Sequence, residues 1–408
     1  MILRARTVVT MAGPVIENGA VVIEQNRIVE SGPAADIVDD FSADVLDLGE
    51  VVLMPGLINA HCHLDYTMMR YAITPPRSFT AWVQRINAIK RSLDSADYLA
   101  AIERGFTELQ RWGTTSVCNI EAFPELMMKL GPSPIRTWWF YEMIDIRHRI
   151  TTDDVVAGAL SFFQHRAGSL DSFGLSPHAP YTASVSLYQL ANACATSFTM
   201  PLTTHVAESA EEFAMFSRGS GPLFDFMKSL DRPMNECGLD TPFGHLWKSG
   251  AIHGGWLLAH MNELIEEDFQ LLAGVPRGSG PSVVHCPGSH RYFGHAPFPY
   301  RRLHELGVNI CVGTDSLAST ESLSLFEELR RLSASEPWLT PEQLLRTVTV
   351  NPARALSRRG TLGKIQAGAL ADLIALPLSG TLRGIHEEIV NSDAPISWMM
   401  IDGQITSS

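Results

Sequence analysis

Short apolar runs alternate with longer amphipathic segments between residues 57 and 313, and most of the runs are followed by a polar residue. This alternation is typical of βα units, which build a parallel sheet covered by helices. Eight such runs are present, and eight parallel strands most simply close into a barrel that leaves no exposed edge. The sequence therefore predicts an α/β fold with a (β/α)8 TIM barrel, and an open doubly wound sheet is the alternative.

The strands predicted for the barrel are short and bounded by turn residues. They cover residues 57–61, 115–119, 137–142, 173–177, 202–205, 256–260, 282–285 and 309–313. Among the connecting segments, residues 98–112 carry apolar side chains at helical spacing, and residues 184–195 begin at Ser184, a favoured capping residue. Thr340 followed by Pro341 predicts a further helix start.

Both chain ends carry the pattern of short strands separated by turns. The predicted strands are residues 3–9, 20–25, 27–30, 371–376 and 398–401, with a turn at Asp402 and Gly403. We infer that residues 1–54 and 360–408 form one small composite domain, a β-sandwich, beside a barrel domain of residues 55–359.

Composition excludes several classes of protein. With 45% hydrophobic and 18% charged residues, the 408-residue chain has enough apolar side chains for a large core. A formal net charge of -13 repels phosphate backbones, so no nucleic-acid partner is expected. The chain lacks a long apolar run and a signal-peptide pattern, and its six cysteines lack CxxC spacing. These features predict no membrane partner, reduced thiols and a cytoplasmic location.

Residues that bind metals or transfer protons lie at or just after the ends of most predicted strands, and in a barrel these ends share one face. They are His61, His63, Glu142, His178, His205, Glu208, His260, His285 and Asp315. His61 and His63 are two positions apart, so on an extended strand both imidazoles point the same way. The motif alone is weak, but further ligands follow it downstream.

His61, His63, His205 and Asp315 together offer three imidazoles and one carboxylate to a common centre. This set suits zinc, or less specifically iron or manganese. Asp315 also fits the role of a helix cap for a segment starting near Thr320.

A metal held in this way lowers the pKa of a bound water, so that hydroxide is present at neutral pH and can attack an electrophilic carbon. Glu208 is placed to take the proton and deliver it to the substrate, with Asp315 sharing this role, and His260 is placed to orient the water. The predicted catalytic residues are therefore Glu208, His260 and Asp315. The alternative for Glu208 is an ordinary acid in the first turn of a helix.

Five segments in order resemble the amidohydrolase superfamily, and more narrowly its mononuclear deaminase and chlorohydrolase branch. They read PGLINAHCHLD, THVAES, LLAHMNE, VVHCPGSHRYFG and VGTDSLAST. The resemblance extends over essentially the whole chain, since residues 363–373 resemble the family's return into its β domain. It implies the same four metal ligands, places Glu208 and His260 beside the attacking water, and gives His178 of SPHAPYT a contact with substrate.

The resemblance also bears on the number of metals. Binuclear members of the superfamily usually carry a carboxylated lysine at the end of the fourth strand, but this strand ends in Pro177 and His178. We therefore expect one divalent metal per subunit, zinc in the first place, with iron or manganese as alternatives.

The segments SFTAWV, HAPYT and HVAESAEEF resemble aminofutalosine deaminases, which hydrolyse the 6-amino group of an adenine-like nucleoside. Relatives that act on S-adenosylhomocysteine or methylthioadenosine often have acidic residues between the HxH motif and the tryptophan, whereas residues 71–77 here are mostly apolar and proline-rich.

A second departure is His290, where many relatives have asparagine. Arg291, Tyr292 and Phe293 beside it fit either substrate binding or packing of a loop against the barrel rim.

These observations predict a hydrolase that acts on carbon–nitrogen bonds in cyclic amidines and releases ammonia from a small purine-like or adenosine-type nucleoside, such as aminodeoxyfutalosine. The predicted substrate contacts are Trp82, His178, Glu208, His285, Arg291 and Ser316. Two alternatives stay open: a chlorohydrolase or deaminase of a triazine-like ring or of guanine, and a catalytically silent metal-bearing binding protein. The resemblance further implies a homodimer or a higher homo-oligomer.

Overall fold

The computed structural model describes residues 1–41, 43–146, 151–165, 168, 170–377 and 384–406. The strands in these residues are β1 Ile2–Val8, β2 Ile16–Glu24, β3 Arg27–Pro33, β4 Val45–Asp47, β5 Val51–Pro55, β6 Leu57–Cys62, β7 Thr114–Glu121, β8 Arg136–Met143, β9 Asp171–Pro177, β10 Leu202–Val206, β11 Trp256–His260, β12 Ser282–His285, β13 Asn309–Val312, β14 Leu373–Pro377, β15 Trp398–Ile401 and β16 Gln404–Thr406.

The α-helices in the same residues are α1 Ala34–Ile37, α2 Phe79–Lys90, α3 Ser95–Arg111, α4 Thr152–His165, α5 Val185–Phe198, α6 Ala210–Arg218, α7 Pro222–Ser229, α8 Pro242–Lys248, α9 Glu266–Ala273, α10 Pro287–Phe293, α11 Tyr300–Glu305, α12 Leu325–Ser335, α13 Pro341–Arg346, α14 Val350–Ala355 and α15 Ile385–Val390. Short 3-10 helices cover Leu64–Met69 and Pro124–Lys129. Within the described part of the chain, no helix is both long and apolar enough to cross a membrane.

The chain forms two compact units. The first comprises Met1–Ala60, Phe106–Val117 and Leu323–Ser408, and the second comprises His61–Gly105 and Cys118–Ser322. The division predicted from the sequence, residues 1–54 with 360–408 around residues 55–359, stays a prediction.

The first unit contains a sheet built from both chain ends. Its strand order is β16-β15-β14-β5-β1-β2-β3, and β4 pairs with β1. β14 is antiparallel to β5, with Ile374 opposite Met54, so the C-terminal strands extend the sheet that the N-terminal strands begin. Its buried residues include Leu3, Val21 and Met400. The prediction that both chain ends build one β unit separate from the barrel sheet is confirmed as a single sheet, and β4 and β5 were not predicted as strands.

The barrel sheet contains β6 to β13 in sequence order. The pairings from β8 to β13 are parallel. A parallel bridge between Cys62 and Asp315 joins the end of β6 to the residues after β13, and the amides of Thr314 and Asp315 both donate to the His61 carbonyl at 3.1 Å. The closed barrel is therefore confirmed over the open sheet, and all eight predicted strands match within two residues at each end.

The predicted helix starts are also confirmed. The Ser184 hydroxyl accepts from the Leu187 amide at 3.2 Å at the start of α5, and α5 contacts β9 and β10. At α13, the Thr340 hydroxyl accepts from the Gln343 amide, and the Gln343 side chain accepts from the Thr340 amide. This reciprocal capping satisfies two amides that lack partners within the helix.

Gly313 lets β13 end in direct contact with β6. A Cβ atom at Gly313 would lie 2.7 Å from the His61 carbonyl oxygen and 2.8 Å from the His61 amide nitrogen. Because these are backbone atoms, we expect Gly313→Ala to lower the free energy of unfolding by about 1–3 kcal/mol, measured by urea denaturation. Gly131→Ala is the control, since a Cβ atom there meets nothing within 4 Å. Equal stability of Gly313→Ala and the control would contradict this view of barrel closure.

Candidate active site and metal centre

The predicted metal-binding residues come together in the second unit, at the carboxyl ends of barrel strands. His61 lies in β6 and His63 just after it, His205 lies in β10, His260 ends β11, and Asp315 follows β13. All five side chains are buried. Burial of this many polar groups in one place calls for a compensating interaction.

The donor atoms of these side chains are close to one another. The Nε2 atoms of His61 and His63 lie 3.7 and 3.8 Å from Asp315 Oδ1, and the Nε2 atoms of His63 and His205 are 3.2 Å apart. Two groups of three residues have all their ligand atoms within 4.8 Å: His61 with His205 and His260, and His61 with His63 and Asp315. The four predicted ligands thus converge, with His260 beside them.

Backbone and hydroxyl partners orient two of the donor groups. His205 Nδ1 lies 2.8 Å from the His178 carbonyl oxygen, and since a carbonyl only accepts, Nδ1 carries the proton and Nε2 keeps its lone pair. Asp315 Oδ2 accepts hydrogen bonds from Ser289 at 2.6 Å and from Ser319 at 2.9 Å, which leaves Oδ1 towards the histidines. The imidazole of His205 in this tautomer and the oriented carboxylate of Asp315 fit a divalent cation.

The protonation states of these residues also favour binding of a divalent cation. Burial, reinforced by the neighbouring imidazole of His61, lowers the pKa of His63 well below its usual value and that of His205 to about 3. Burial acts to raise the pKa of Asp315, but the imidazoles of His61, His63 and His260 beside it hold the pKa well below its usual range. His63 and His205 are therefore neutral imidazoles and Asp315 is a carboxylate at neutral pH, the forms that bind metals.

Glu208 lies next to His260, with its Oε1 atom 3.7 Å from His260 Nε2. Its backbone is held by Glu212, whose carboxylate accepts from the Ala207 amide at 3.1 Å and from the Glu208 amide at 2.7 Å. Burial and the negative charge of neighbouring carboxylates raise the pKa of Glu208 well above its usual value. A carboxyl group with a raised pKa in a cavity wall is suited to hold and transfer a proton.

The backbone is strained where several strands end in the site. Ala207, His260, Met261 and Asp315 have φ values of 52°, 74°, 52° and 57°. Non-glycine residues rarely adopt such angles, and residues that do are concentrated at functional sites. The strain directs the side chains of His260 and Asp315 into the cluster.

A cavity of roughly 200 Å³ borders the histidine cluster. Its polar end is formed by His63, His205, Glu208, His260, Asp315 and Ser316. One wall comes from α2 through Phe79, Trp82, Val83, Ile86, Asn87 and Lys90, and another from α7 and the residue after it through Phe226, Met227 and Leu230. Apolar walls around a few convergent polar groups are typical of small-molecule sites.

Four of the six predicted substrate contacts line this cavity: Trp82, His178, Glu208 and Ser316. The other two do not. His285 is buried with its ring stacked on Phe298 at 3.9 Å, and Arg291 is exposed on α10.

The segment after β12, interpreted from the sequence as a loop, forms the helix α10. Phe293 at its end packs on the rings of Phe79 and Trp82, at 5.5 and 5.1 Å, and the Tyr292 hydroxyl donates to the Ile73 carbonyl. Of the two interpretations given above for this segment, these contacts match packing against the barrel rim.

Two further charged residues lie in the cavity wall: Lys90, which had no predicted role, and Glu142, which was predicted only as a polar residue at a strand end. Lys90 donates to the Tyr66 hydroxyl at 2.6 Å and lies over the rings of Tyr66 and Phe123, and Glu142 Oε1 lies 3.9 Å from His178 Nε2. Helical spacing places Lys90 on one face with Trp82 and Ile86. Only the packing of α2 reveals that this face borders the cavity.

Fold and site together define a metal-dependent hydrolase of the barrel type. A model of the amidohydrolase family matches residues 52–406, so the chain belongs to the amidohydrolase family. The resemblance noted in the sequence is confirmed.

Named relatives are similar to this chain over most of its length. A 5-methylthioadenosine/S-adenosylhomocysteine deaminase from Pyrococcus furiosus is 28% identical over 389 residues, which covers 89% of this chain and 86% of the relative. An aminodeoxyfutalosine deaminase from Deinococcus radiodurans is 28% identical over 355 residues, 84% and 82% of the two chains. A crystal structure of an adenosine deaminase from Xanthomonas campestris with bound zinc has a TM-score of 0.82 at 26% identity, covering 99% and 92%.

The two hydroxyl groups on Asp315 give a test of the metal centre. We expect Ser289→Ala combined with Ser319→Ala to weaken metal affinity by about 10- to 100-fold, because an unsupported carboxylate is less well oriented. Competition with a chromophoric chelator measures this affinity. Ser282→Ala is the control, since that buried serine lies at the opposite end of β12 and accepts a hydrogen bond from Asn309. Unchanged affinity in the double variant would contradict the assignment of Asp315 as a ligand.

Proposed function

We propose that the protein is a hydrolytic deaminase that releases ammonia from the purine-like ring of an adenosine-type nucleoside, with aminodeoxyfutalosine and methylthioadenosine as leading candidates. The observation that carries the proposal is the position of Glu208, a buried carboxyl group that lines one small cavity together with His63, His205 and Asp315. The names of the deaminase relatives support the reaction and the class of substrate.

His61, His63, His205 and Asp315 would hold one divalent metal, zinc in the first place, with iron or manganese as alternatives. When bound, such a cation lowers the pKa of water, so that a nucleophile is available at neutral pH. A single metal is proposed because β9 ends in Pro177 and is followed by His178. Binuclear members of the superfamily usually carry a carboxylated lysine at this position.

Glu208 moves the proton in the proposed reaction. As a carboxylate, Glu208 takes a proton from the attacking water, and as the resulting acid it delivers that proton to a ring nitrogen, while the oxygen of water bonds to the amino-bearing carbon. The bond to the amino group then breaks, and that nitrogen leaves as ammonia with a second proton from the water. His260, 3.7 Å from Glu208, orients the water, and Asp315 shares the proton transfer.

The cavity walls bind the rest of the substrate in this proposal. Trp82 and Phe79 offer aromatic faces for a planar ring, and His178 offers Nε2, since its Nδ1 is 2.6 Å from the Thr182 hydroxyl. A small organic substrate fits this lining. Assembly as a homodimer or higher oligomer and a cytoplasmic location stay predictions.

Replacement of Glu208 by glutamine tests the proton-transfer role. We expect Glu208→Gln to lower kcat by about 10²- to 10⁴-fold while metal content stays unchanged, measured by ammonia release and elemental analysis. Glu267→Gln, at an exposed position in the first turn of α9, is the control and should keep full activity. Near-normal turnover by Glu208→Gln would refute the role.

Removal of the metal gives a second test. We expect dialysis against a chelator to abolish ammonia release from a panel of adenosine, methylthioadenosine, aminodeoxyfutalosine, guanine and triazines, and one equivalent of zinc per chain to restore it. A requirement for two equivalents would overturn the single-metal proposal. Release of chloride from a chlorotriazine without ammonia from any nucleoside would overturn the deaminase proposal.

A further inference from the structure

Arg232 is buried although it lies in the connection between α7 and α8. Only 3% of its side chain is exposed, and each of its three guanidinium nitrogens has a partner. A buried guanidinium is costly unless it is fully hydrogen-bonded, so such a residue is retained where its contacts are needed.

The contacts of Arg232 join two segments of the chain. Nε donates to the Tyr181 carbonyl at 3.1 Å, and Nη2 donates to the Pro180 carbonyl at 2.9 Å and pairs with Glu236. The backbone amide of Arg232 donates to the Met227 carbonyl in α7 at 3.2 Å. One residue therefore holds α7 against the turn that follows β9.

That turn carries groups used in the proposed reaction. The amides of Thr182 and Ala183 both donate to the Ala179 carbonyl at 2.9 Å, the Thr182 hydroxyl is bonded to the His178 ring, and the His178 carbonyl accepts from the His205 ring. Arg232 binds the Pro180 and Tyr181 carbonyls of the same turn. Movement of the turn would therefore displace His178.

The two segments that Arg232 joins both contribute to the cavity lining, and Tyr181 of one packs in the same apolar cluster as Met227 of the other. Tyr181 belongs to the turn, Phe226 and Met227 belong to α7, and Leu230 follows α7 directly. Apart from the Tyr181 hydroxyl, this part of the lining is apolar. An apolar substituent of the substrate fits best against it.

We propose that Arg232 is a positioning residue that sets the separation of Tyr181 from Met227, and thereby selects substrates with an apolar group beyond the reacting ring. The inference rests on the proposed function, because it concerns the substrate of the same site. Arg232 itself touches no substrate, since it acts through the carbonyls of Pro180 and Tyr181 and through α7.

The test compares methylthioadenosine, which carries an apolar thioether group, with adenosine, which lacks it. We expect Arg232→Met to raise KM for methylthioadenosine about tenfold while kcat changes less than about threefold, since binding rather than chemistry is affected. The ratio of kcat/KM for methylthioadenosine over adenosine should fall by a similar factor. Arg232→Lys should recover part of this preference, because an ammonium group keeps the charge but cannot reproduce the planar fork.

Arg331→Met is the matched control. Arg331 pairs with Glu327 and Glu328, its side chain is 14% exposed, and it belongs to the first unit. Loss of a paired arginine outside the site should leave both KM values unchanged. A fall in kcat with an unchanged preference between the two nucleosides, or an equal effect of the Arg331 variant, would overturn the proposal.

A readout independent of turnover separates this inference from the proposed function. If the wild-type protein deaminates neither nucleoside, the proposed function fails for them, and hydrogen exchange of the metal-loaded protein then decides the role of Arg232. We expect faster exchange of the Thr182 and Ala183 amides in Arg232→Met, with unchanged exchange in β13. Unchanged exchange at both amides would overturn the positioning role.

Discussion

Closure of the barrel between β6 and the end of β13 is the constraint on which the site depends. The His61 carbonyl accepts hydrogen bonds from the Thr314 and Asp315 amides, and Gly313 leaves space for this approach. The pairing brings the HxH motif to within 4 Å of a carboxylate from the far end of the barrel sequence. Without it, the two halves of the ligand set would lie on separate strands with no fixed distance between them.

The groups that surround the metal ligands and Glu208 fix their tautomer, orientation or backbone position. The His178 carbonyl selects the tautomer of His205, two serine hydroxyls orient Asp315, and Glu212 fixes the backbone of Glu208. Each partner restricts the rotation of a side chain or backbone segment, so that binding of a cation or substrate does not have to restrict it. The neutral imidazoles of His63 and His205 and the carboxylate of Asp315 can then coordinate a divalent cation without large movement.

The strands and their polar ends could be predicted because both follow from local patterns, namely apolar runs of strand length and the rule that parallel strand ends share one face. The supporting groups could not. Ser289 and Arg232 have no special sequence spacing, and their roles appear only when distant segments pack. His285 and Arg291 were expected near the substrate from their closeness to β12, but His285 stacks on Phe298 and the helix α10 leaves Arg291 exposed.

We propose that one metal is held by His61, His63, His205 and Asp315, with His260 and Glu208 reserved for water and proton transfer. Anomalous diffraction from zinc-loaded crystals, collected on both sides of the zinc absorption edge, is the direct test of this assignment. We expect one anomalous peak per chain, at bonding distance from three imidazole nitrogens and Asp315. Two peaks per chain, or a single peak bonded to His260 and distant from Asp315, would contradict it.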